Sequence, residues 1–180
     1  MVTLFERANG TFLKAGESLF RNQVAEQTLC GGLMLHLFAL VAQDESLSGY
    51  YVDVEYNRNS GSIKTIKKTI KGENEQIIPI KCDLILHSRG EHPEQDNLIA
   101  LEMKKSKRQQ SKKRTDQDRL IALTKDSFDD IWSYDGLTLP EHVCRYVLGV
   151  YYEIIYERNL ILIEYYEKGK VTTSYELPIA

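Results

Sequence analysis

Two apolar segments of this 180-residue chain carry charged residues at positions where a buried strand has none. Asp83 lies within the segment Ile77 to Leu86, and Glu102 directly follows Leu98 to Leu101, with Lys104 two positions later. Burying an unpaired charge is costly. The fold must therefore supply each of these groups with a partner of opposite charge or with a cation, and this limits how the two segments can be arranged.

The spacing of the charges also predicts to which face of the strand each side chain points. Residues i and i+2 share one face of a strand, so Glu102 and Lys104 point the same way and Met103 points into the opposite layer. If the segment that contains Asp83 is the neighbouring strand, Asp83 and Glu102 converge. Two close carboxylates repel each other unless a cation neutralises them.

An oxygen-only pair of this kind suits Mg²⁺ or Mn²⁺ better than zinc. A lysine beside it can stabilise a negatively charged transition state or orient a water molecule. The pattern of Asp83, Glu102 and Lys104 thus predicts metal-assisted hydrolysis of a phosphodiester. The alternative is a simple Asp–Lys or Glu–Lys ion pair at the strand ends.

The periodicity of the whole chain predicts an α/β fold, with one domain over residues 1–180 and a mixed central β-sheet flanked by helices. An amphipathic helix is expected from Ser18, as N-cap, to Gln43, and a second helix from Asp116 to Lys125. The predicted strands are 50–57, 63–70, 77–87, 98–103, 143–156, 160–166 and 171–176, of which the last three form C-terminal β hairpins. The core is expected over about 18–156, with a basic hairpin insertion at about 58–76.

The predicted first helix has two unusual features. Glu26 falls at the centre of its apolar face, with Leu19 and Leu33 seven residues away on either side. A glutamate there needs a partner, either a salt bridge or the metal and its water. The pair Gly31 and Gly32 costs helix stability, about 1 kcal/mol each, which indicates the close approach of another element.

The net charge of −3 conceals an uneven distribution. Residues 58–114 carry 14 basic and 7 acidic side chains, whereas 1–57 carry 3 and 7, and 115–180 carry 6 and 12. A basic segment between acidic flanks indicates a polyanionic partner. The alternative is a solvated, lysine-rich surface.

Other features of the sequence indicate a cytoplasmic protein with no membrane association. Met1 to Gly10 lacks an apolar signal segment, and the longest nearly apolar run, Gly31 to Ala42, is too short to span a bilayer. The cysteines, Cys30, Cys82 and Cys144, are far apart and form no C-x-x-C pair. They are expected to be reduced and packed as small apolar side chains.

Two stretches around the charged residues resemble the PD-(D/E)XK nucleases, the restriction-endonuclease-like superfamily. They are Ile80 to His87 (IKCDLILH) and Leu98 to Ser106 (LIALEMKKS), with 18 residues between Asp83 and Glu102. The core order of that superfamily is helix, three strands, helix, strand, which is similar to the order predicted above. Arg21 to Glu26 and Val52 to Arg58 further resemble small bacterial members, so the resemblance covers roughly residues 18–125.

The resemblance implies roles for individual residues. Asp83 and Glu102 would bind the divalent ion together with the backbone carbonyl of Met103, and Lys104 would position or activate the attacking water. Glu26 would be an accessory ligand or base. Glu55 is the best candidate to hold a ligand in orientation, with an exposed edge-strand charge as the alternative. Cys82 stands where the family commonly has a proline.

The resemblance also implies a partner. Basic side chains near the site would neutralise phosphates flanking the cut. They are Lys105, Lys107, Arg108, Lys112, Lys113 and Arg114, with Lys67 and Lys68 on the hairpin. The sequence thus predicts a Mg²⁺- or Mn²⁺-dependent endonuclease that hydrolyses DNA, structure-dependent or relaxed in specificity, with RNA and a homodimer left open. The alternative is a catalytically silent nuclease-fold module that binds nucleic acid or a partner protein in a defence or repair complex.

Overall fold

The computed structural model describes residues 1–56, 82–106, 113–126 and 144–179, and the backbone of 58–59, 62–63, 65–70, 74–79 and 110–112. These residues form a mixed α/β fold. The helices are α1 (Val2–Ala15), α2 (Glu17–Arg21), α3 (Glu26–Val41) and α4 (Gln110–Leu123). The strands are β1 (Tyr51–Val54), β2 (Arg58–Asn59), β3 (Ser62–Ile63), β4 (Thr65–Ile70), β5 (Asn74–Pro79), β6 (Leu84–His87), β7 (Asn97–Lys105), β8 (Leu148–Ile155), β9 (Leu160–Glu167) and β10 (Lys170–Pro178).

Six of the strands form one mixed sheet in the order β1-β6-β7-β8-β9-β10. β1, β6 and β7 are antiparallel neighbours, whereas β7 and β8 run parallel and are connected through α4. The strands β8, β9 and β10 then continue as antiparallel hairpins. β7 therefore lies inside the sheet, and eight of its nine residues are buried.

The predicted hairpin insertion contains two short ladders. β2 pairs with β3 and β4 pairs with β5, both antiparallel. Lys67 and Lys68 lie on β4, but their side chains are outside the described residues.

Two apolar layers cover the sheet on opposite faces. Met103 and Leu101 of β7 pack in the larger cluster with α1 and α3, which contribute Phe12 and Leu33 among others. On the other face, Ala100 packs in a second cluster with Leu120 and Leu123 of α4 and with Tyr151 of β8 and Tyr166 of β9. The alternation of side chains along β7 thus directs Glu102 and Lys104 to the α4 side, as their parity with Ala100 requires.

The prediction of one helix from Ser18 to Gln43 is wrong at its N-terminal half. The chain forms the short helix α2 with Gly16 rather than Ser18 as N-cap, leaves the helical conformation near Gln23 (φ 48°), and begins α3 at Glu26. Glu26 consequently occupies the first turn of a helix, where the macrodipole favours a carboxylate. The sequence pattern also missed α1.

The predicted close approach at the glycine pair is confirmed for Gly32. A Cβ atom there would stand 2.7 Å from Cε2 of Phe12 in α1. Gly31, by contrast, faces open space, because apart from its chain neighbours and the backbone of its own helix no atom lies within 4 Å of its added Cβ. Only one of the two glycines is therefore required by packing.

The predicted strand from Ile77 to His87 is also interrupted. β5 ends at Pro79 and pairs with β4, whereas β6 begins at Leu84 and belongs to the main sheet. Asp83 thus precedes β6 in a bend rather than lying inside a strand. A bend at this point leaves its side chain free to turn toward β7.

None of the helices in the described part of the chain combines the length and the apolar character needed to cross a bilayer. All three cysteines are buried and free of disulfides, as the sequence predicts.

Candidate active site

Asp83 and Lys104 meet at the end of the β6–β7 pair. Leu84 of β6 pairs with Leu101 of β7, and one more step of this register places Asp83 opposite Glu102. Oδ2 of Asp83 accepts hydrogen bonds from the backbone N–H of Met103 at 2.8 Å and from Nζ of Lys104 at 3.1 Å. Both contacts hold the Asp83 carboxylate against the C-terminal end of β7.

Glu102 lies beneath this contact and is almost completely buried, with 1% of its side chain exposed. Its Oε2 stands 3.7 Å from Nζ of Lys104, and its Oε1 accepts a hydrogen bond from Nη1 of Arg119 in α4. Asp116, one helical turn before Arg119, contacts both cations, at 3.6 Å from Lys104 and 3.3 Å from Arg119. Three carboxylates and two cations thus form one cluster between α4 and the sheet, with a formal excess of one negative charge.

The environment of Glu102 disfavours its ionised form. Burial raises the pKa of Glu102 to about 8 from an ordinary value of 4.5, against the opposing influence of Arg119 and Lys104, and the Asp83 and Asp116 carboxylates add to the increase. Burial also raises the pKa of Asp116, which the two cations only partly offset. An additional positive charge near the cluster would therefore favour the ionised forms of Glu102 and Asp116.

Lys104 is stabilised as an ammonium. Burial lowers its pKa, but the nearby carboxylates, Asp83 foremost, outweigh burial and hold the pKa above its usual value. In this arrangement Lys104 acts as a hydrogen-bond donor and a positive charge rather than as a base.

A cleft of about 680 Å³ opens beside these residues. Asp83 and Lys104 line it together with Glu26, Glu55, Cys30 and Lys105. Glu102 is not among the lining residues and lies behind Lys104. The cleft gives a ligand access to Asp83, of which 26% of the side chain is exposed, and to the ammonium of Lys104.

Glu26 and Glu55, both predicted to act near the metal, lie at the walls of this cleft. Oε1 of Glu26 accepts a hydrogen bond from the backbone N–H of Lys105 at 3.0 Å, which ties the start of α3 to the end of β7. Glu55 follows β1 with a positive φ of 53°, and its backbone N–H donates to the carbonyl of Asp83 at 3.2 Å. Both carboxylates therefore border the cleft that Asp83 and Lys104 line.

Met103 points to the opposite face from Glu102 and Lys104, as its parity predicts. Its side chain is fully buried, and its Sδ lies 3.7 Å from the Cys30 thiol. Burial, with the Asp83 charge as the next contribution, raises the pKa of Cys30 far above its ordinary value, so this thiol remains protonated.

The basic residues predicted to contact DNA have different positions. Nζ of Lys105 donates to the carbonyl of Gln23 at 2.7 Å, and Arg114 is exposed on α4. Lys113 turns inward and donates to Oε1 of Glu153 at 2.5 Å, with only 13% of its side chain exposed, so its charge is already paired. The side chains of Lys107, Arg108 and Lys112 lie outside the described residues.

Asp116 and Arg119 were missed by the sequence analysis. Their signal was available in the segment predicted as helical, because Asp116, Leu120 and Leu123 follow helical spacing and share one face with the buried leucines. A charged residue on that face needs a partner for the same reason as Glu26.

The chemistry of this donor set fits a hard divalent cation. All its acidic donors are oxygens, the cluster holds three carboxylates against two cations, and its carboxylates already converge on an ammonium. Among the described residues no group of three or more His, Cys, Asp or Glu side chains is arranged so that it could hold a metal ion. Two carboxylates with waters completing the shell are nevertheless a common arrangement for Mg²⁺.

Searches against family models, curated proteins and solved structures gave no significant match for this chain.

Proposed function

We propose that this protein is a divalent-metal-dependent phosphodiester hydrolase of the PD-(D/E)XK type, acting on DNA. The observation that carries the proposal is the contact of one ammonium, that of Lys104, with the carboxylates of Asp83 and Glu102 at the edge of an open cleft. An aspartate directly before one strand and a Glu-x-Lys on its antiparallel neighbour supply the three groups that this reaction needs.

The order of elements supports the same proposal. α3 is followed by the antiparallel strands β1, β6 and β7, then by α4 and by β8 parallel to β7. This order resembles the core expected from the sequence, with the hairpins of β2 to β5 inserted between β1 and β6.

Each residue has a defined task in this proposal. Asp83 and Glu102 would hold Mg²⁺ or Mn²⁺, which when bound supplies a Lewis acid for the phosphoryl oxygen and an acidified water. Lys104, kept as an ammonium by its carboxylate neighbours, donates a hydrogen bond that orients the water or stabilises charge on the phosphate. Glu26 and Glu55 border the space in which that water would lie.

The proposal is tested by incubating the full chain with plasmid, linear and branched DNA, and with RNA, in Mg²⁺, in Mn²⁺ and in EDTA. We expect metal-dependent cleavage that falls by at least about a hundredfold in Asp83→Asn and Lys104→Met, because each change removes a group from the reacting centre. Lys14→Met, which removes an exposed lysine from the last turn of α1, is the matched control and should cleave like the wild type. Equal inactivity of the wild type and Asp83→Asn on every substrate, RNA included, would refute the proposal.

The second candidate function is a silent nuclease-fold module that binds nucleic acid or a partner protein. The observation that favours it is that both carboxylate oxygens of Glu102 face cations of the protein itself, Arg119 and Lys104. Tight, salt-sensitive DNA binding that is indifferent to EDTA and to Lys104→Met, without cleavage, would support this candidate over the first.

A further inference from the structure

Arg119 connects Glu102 to α4 from the side opposite Lys104. Its Nη1 contacts Oε1 of Glu102, whereas Lys104 contacts the other oxygen, Oε2. The two oxygens of one buried carboxylate therefore face cations from different elements, one from the helix and one from the strand. Any other rotamer of Glu102 would lose its contact with Arg119 or with Lys104.

Asp116 holds the two cations in place. Its Oδ1 lies 3.3 Å from Arg119 and its Oδ2 lies 3.6 Å from Lys104, and only 9% of its side chain is exposed. Arg119 and Asp116 are three residues apart on α4, which places them on the same face of the helix. The helix thus contributes a carboxylate–guanidinium pair that braces the strand pair Glu102 and Lys104.

We propose that Arg119 is a positioning residue that fixes Glu102 through Oε1, so that Oε2 is the oxygen offered to the divalent cation beside Asp83, and that Asp116 holds Arg119 in this orientation. The inference rests on the proposed metal-dependent function, and it assigns to α4 a part in a metal site that the sequence predicts only from residues outside this helix. An arginine suits this task because its planar guanidinium can contact two carboxylates in fixed directions.

The test measures Mn²⁺ binding by calorimetry on protein freed of metal with EDTA and then dialysed. We expect Arg119→Met to weaken Mn²⁺ binding by about 10- to 100-fold, the usual effect of removing a group that orients a metal ligand. Arg119→Lys should recover part of the affinity, because it restores a cation near Oε1. Arg158→Met, which removes an exposed arginine paired with Glu176, is the matched control and should bind Mn²⁺ like the wild type.

Thermal denaturation in EDTA separates positioning from general stability. A variant that unfolds at a lower temperature but binds Mn²⁺ unchanged would show a merely structural role for Arg119 and overturn the inference. Tighter binding in Arg119→Met would also overturn it, because Arg119 would then be a competitor of the metal. If Arg119→Met fails to fold, Arg119→Lys and Asp116→Asn decide: wild-type affinity in both overturns the inference.

The outcomes also separate this inference from the proposed function. A wild type that binds Mn²⁺ and cleaves DNA, with affinities unchanged in the Arg119 variants, refutes the inference alone. A wild type that binds no Mn²⁺ refutes the proposed function, and the role of Arg119 with it.

Discussion

At the scale of the single residue, Glu102 has the most strongly raised pKa among the carboxylates of the cluster. It is 1% exposed, and it faces the like charges of Asp83 and Asp116 as well as the cations Lys104 and Arg119. Burial prevails over the cations, and the pKa of Glu102 rises to about 8. Ionisation of Glu102 therefore lowers the free energy of unfolding.

The first prediction concerns the pH dependence of that cost in EDTA. The unfolded chain releases the proton of Glu102 near pH 4.5 and the folded chain near pH 8, so between these values the folded state binds more protons. The contribution of Glu102 to stability is therefore full below about pH 4.5 and is lost as the pH rises toward about 8. Glu102→Gln removes this dependence. As the pH rises over the same range, the free energy of unfolding of Glu102→Gln should therefore increase relative to that of the wild type.

Urea denaturation at a series of pH values measures this difference. Glu176→Gln, which changes an exposed carboxylate of a surface ion pair, is the control and should show no such gain. Parallel stability curves for Glu102→Gln and the wild type would contradict the prediction.

At the scale of the element, α3 depends on its two neighbouring glycines in opposite ways. Gly32 provides the space in which the Phe12 ring of α1 packs, and this ring is itself fixed by contacts with Phe20 and His36. Gly31 has no neighbour to accommodate and carries only the entropic cost of glycine in a helix.

The second prediction is therefore a pair of substitutions with opposite signs. Gly31→Ala should raise the free energy of unfolding by up to about 1 kcal/mol, because alanine favours the helix. Gly32→Ala should lower it by about 1–3 kcal/mol, because the added methyl group overlaps the Phe12 ring. Chemical denaturation of the two variants and the wild type checks both values, and the same sign for both changes would contradict the packing described for α1 and α3.

At the scale of the whole molecule, the sheet has a protected centre and an exposed edge. β7 is paired on both sides, to β6 and β8, and is covered on both faces. β10 is paired only to β9, and seven of its nine residues are exposed. The candidate site lies toward the end of β7, in the protected centre of the sheet.

The third prediction follows from this gradient. Amide hydrogens of β7 and β8 should exchange with solvent most slowly, near the rate set by global unfolding, and those of β10 faster, through local opening of the edge. Hydrogen–deuterium exchange read by mass spectrometry on peptides from these strands measures the difference. Equal protection of β10 and β7 would show that the edge opens only with the whole sheet.

Much of the fold was predictable because its signals are local. Short apolar segments located β7, β9 and β10 close to their observed bounds, and the i to i+2 rule separated Met103 from Glu102 and Lys104. The errors fall where the apolar pattern of the sequence continues although the helix or strand ends. Helical spacing runs from Ser18 through Gln23 to α3, but the backbone leaves the helix at Gln23, and apolar residues run from β5 into β6 although the two belong to different sheets.

By itself the sequence determined that Asp83, Glu102 and Lys104 need partners, because the cost of burying a charge follows from residue type and apolar context alone. Only the tertiary structure decided which partners they have. Asp116 and Arg119 complete the cluster because α4 covers this face of β7, and Lys113 turns to Glu153 because β8 lies beside it. Those contacts join residues far apart in the chain, and their identity depends on which surfaces pack together rather than on any local pattern.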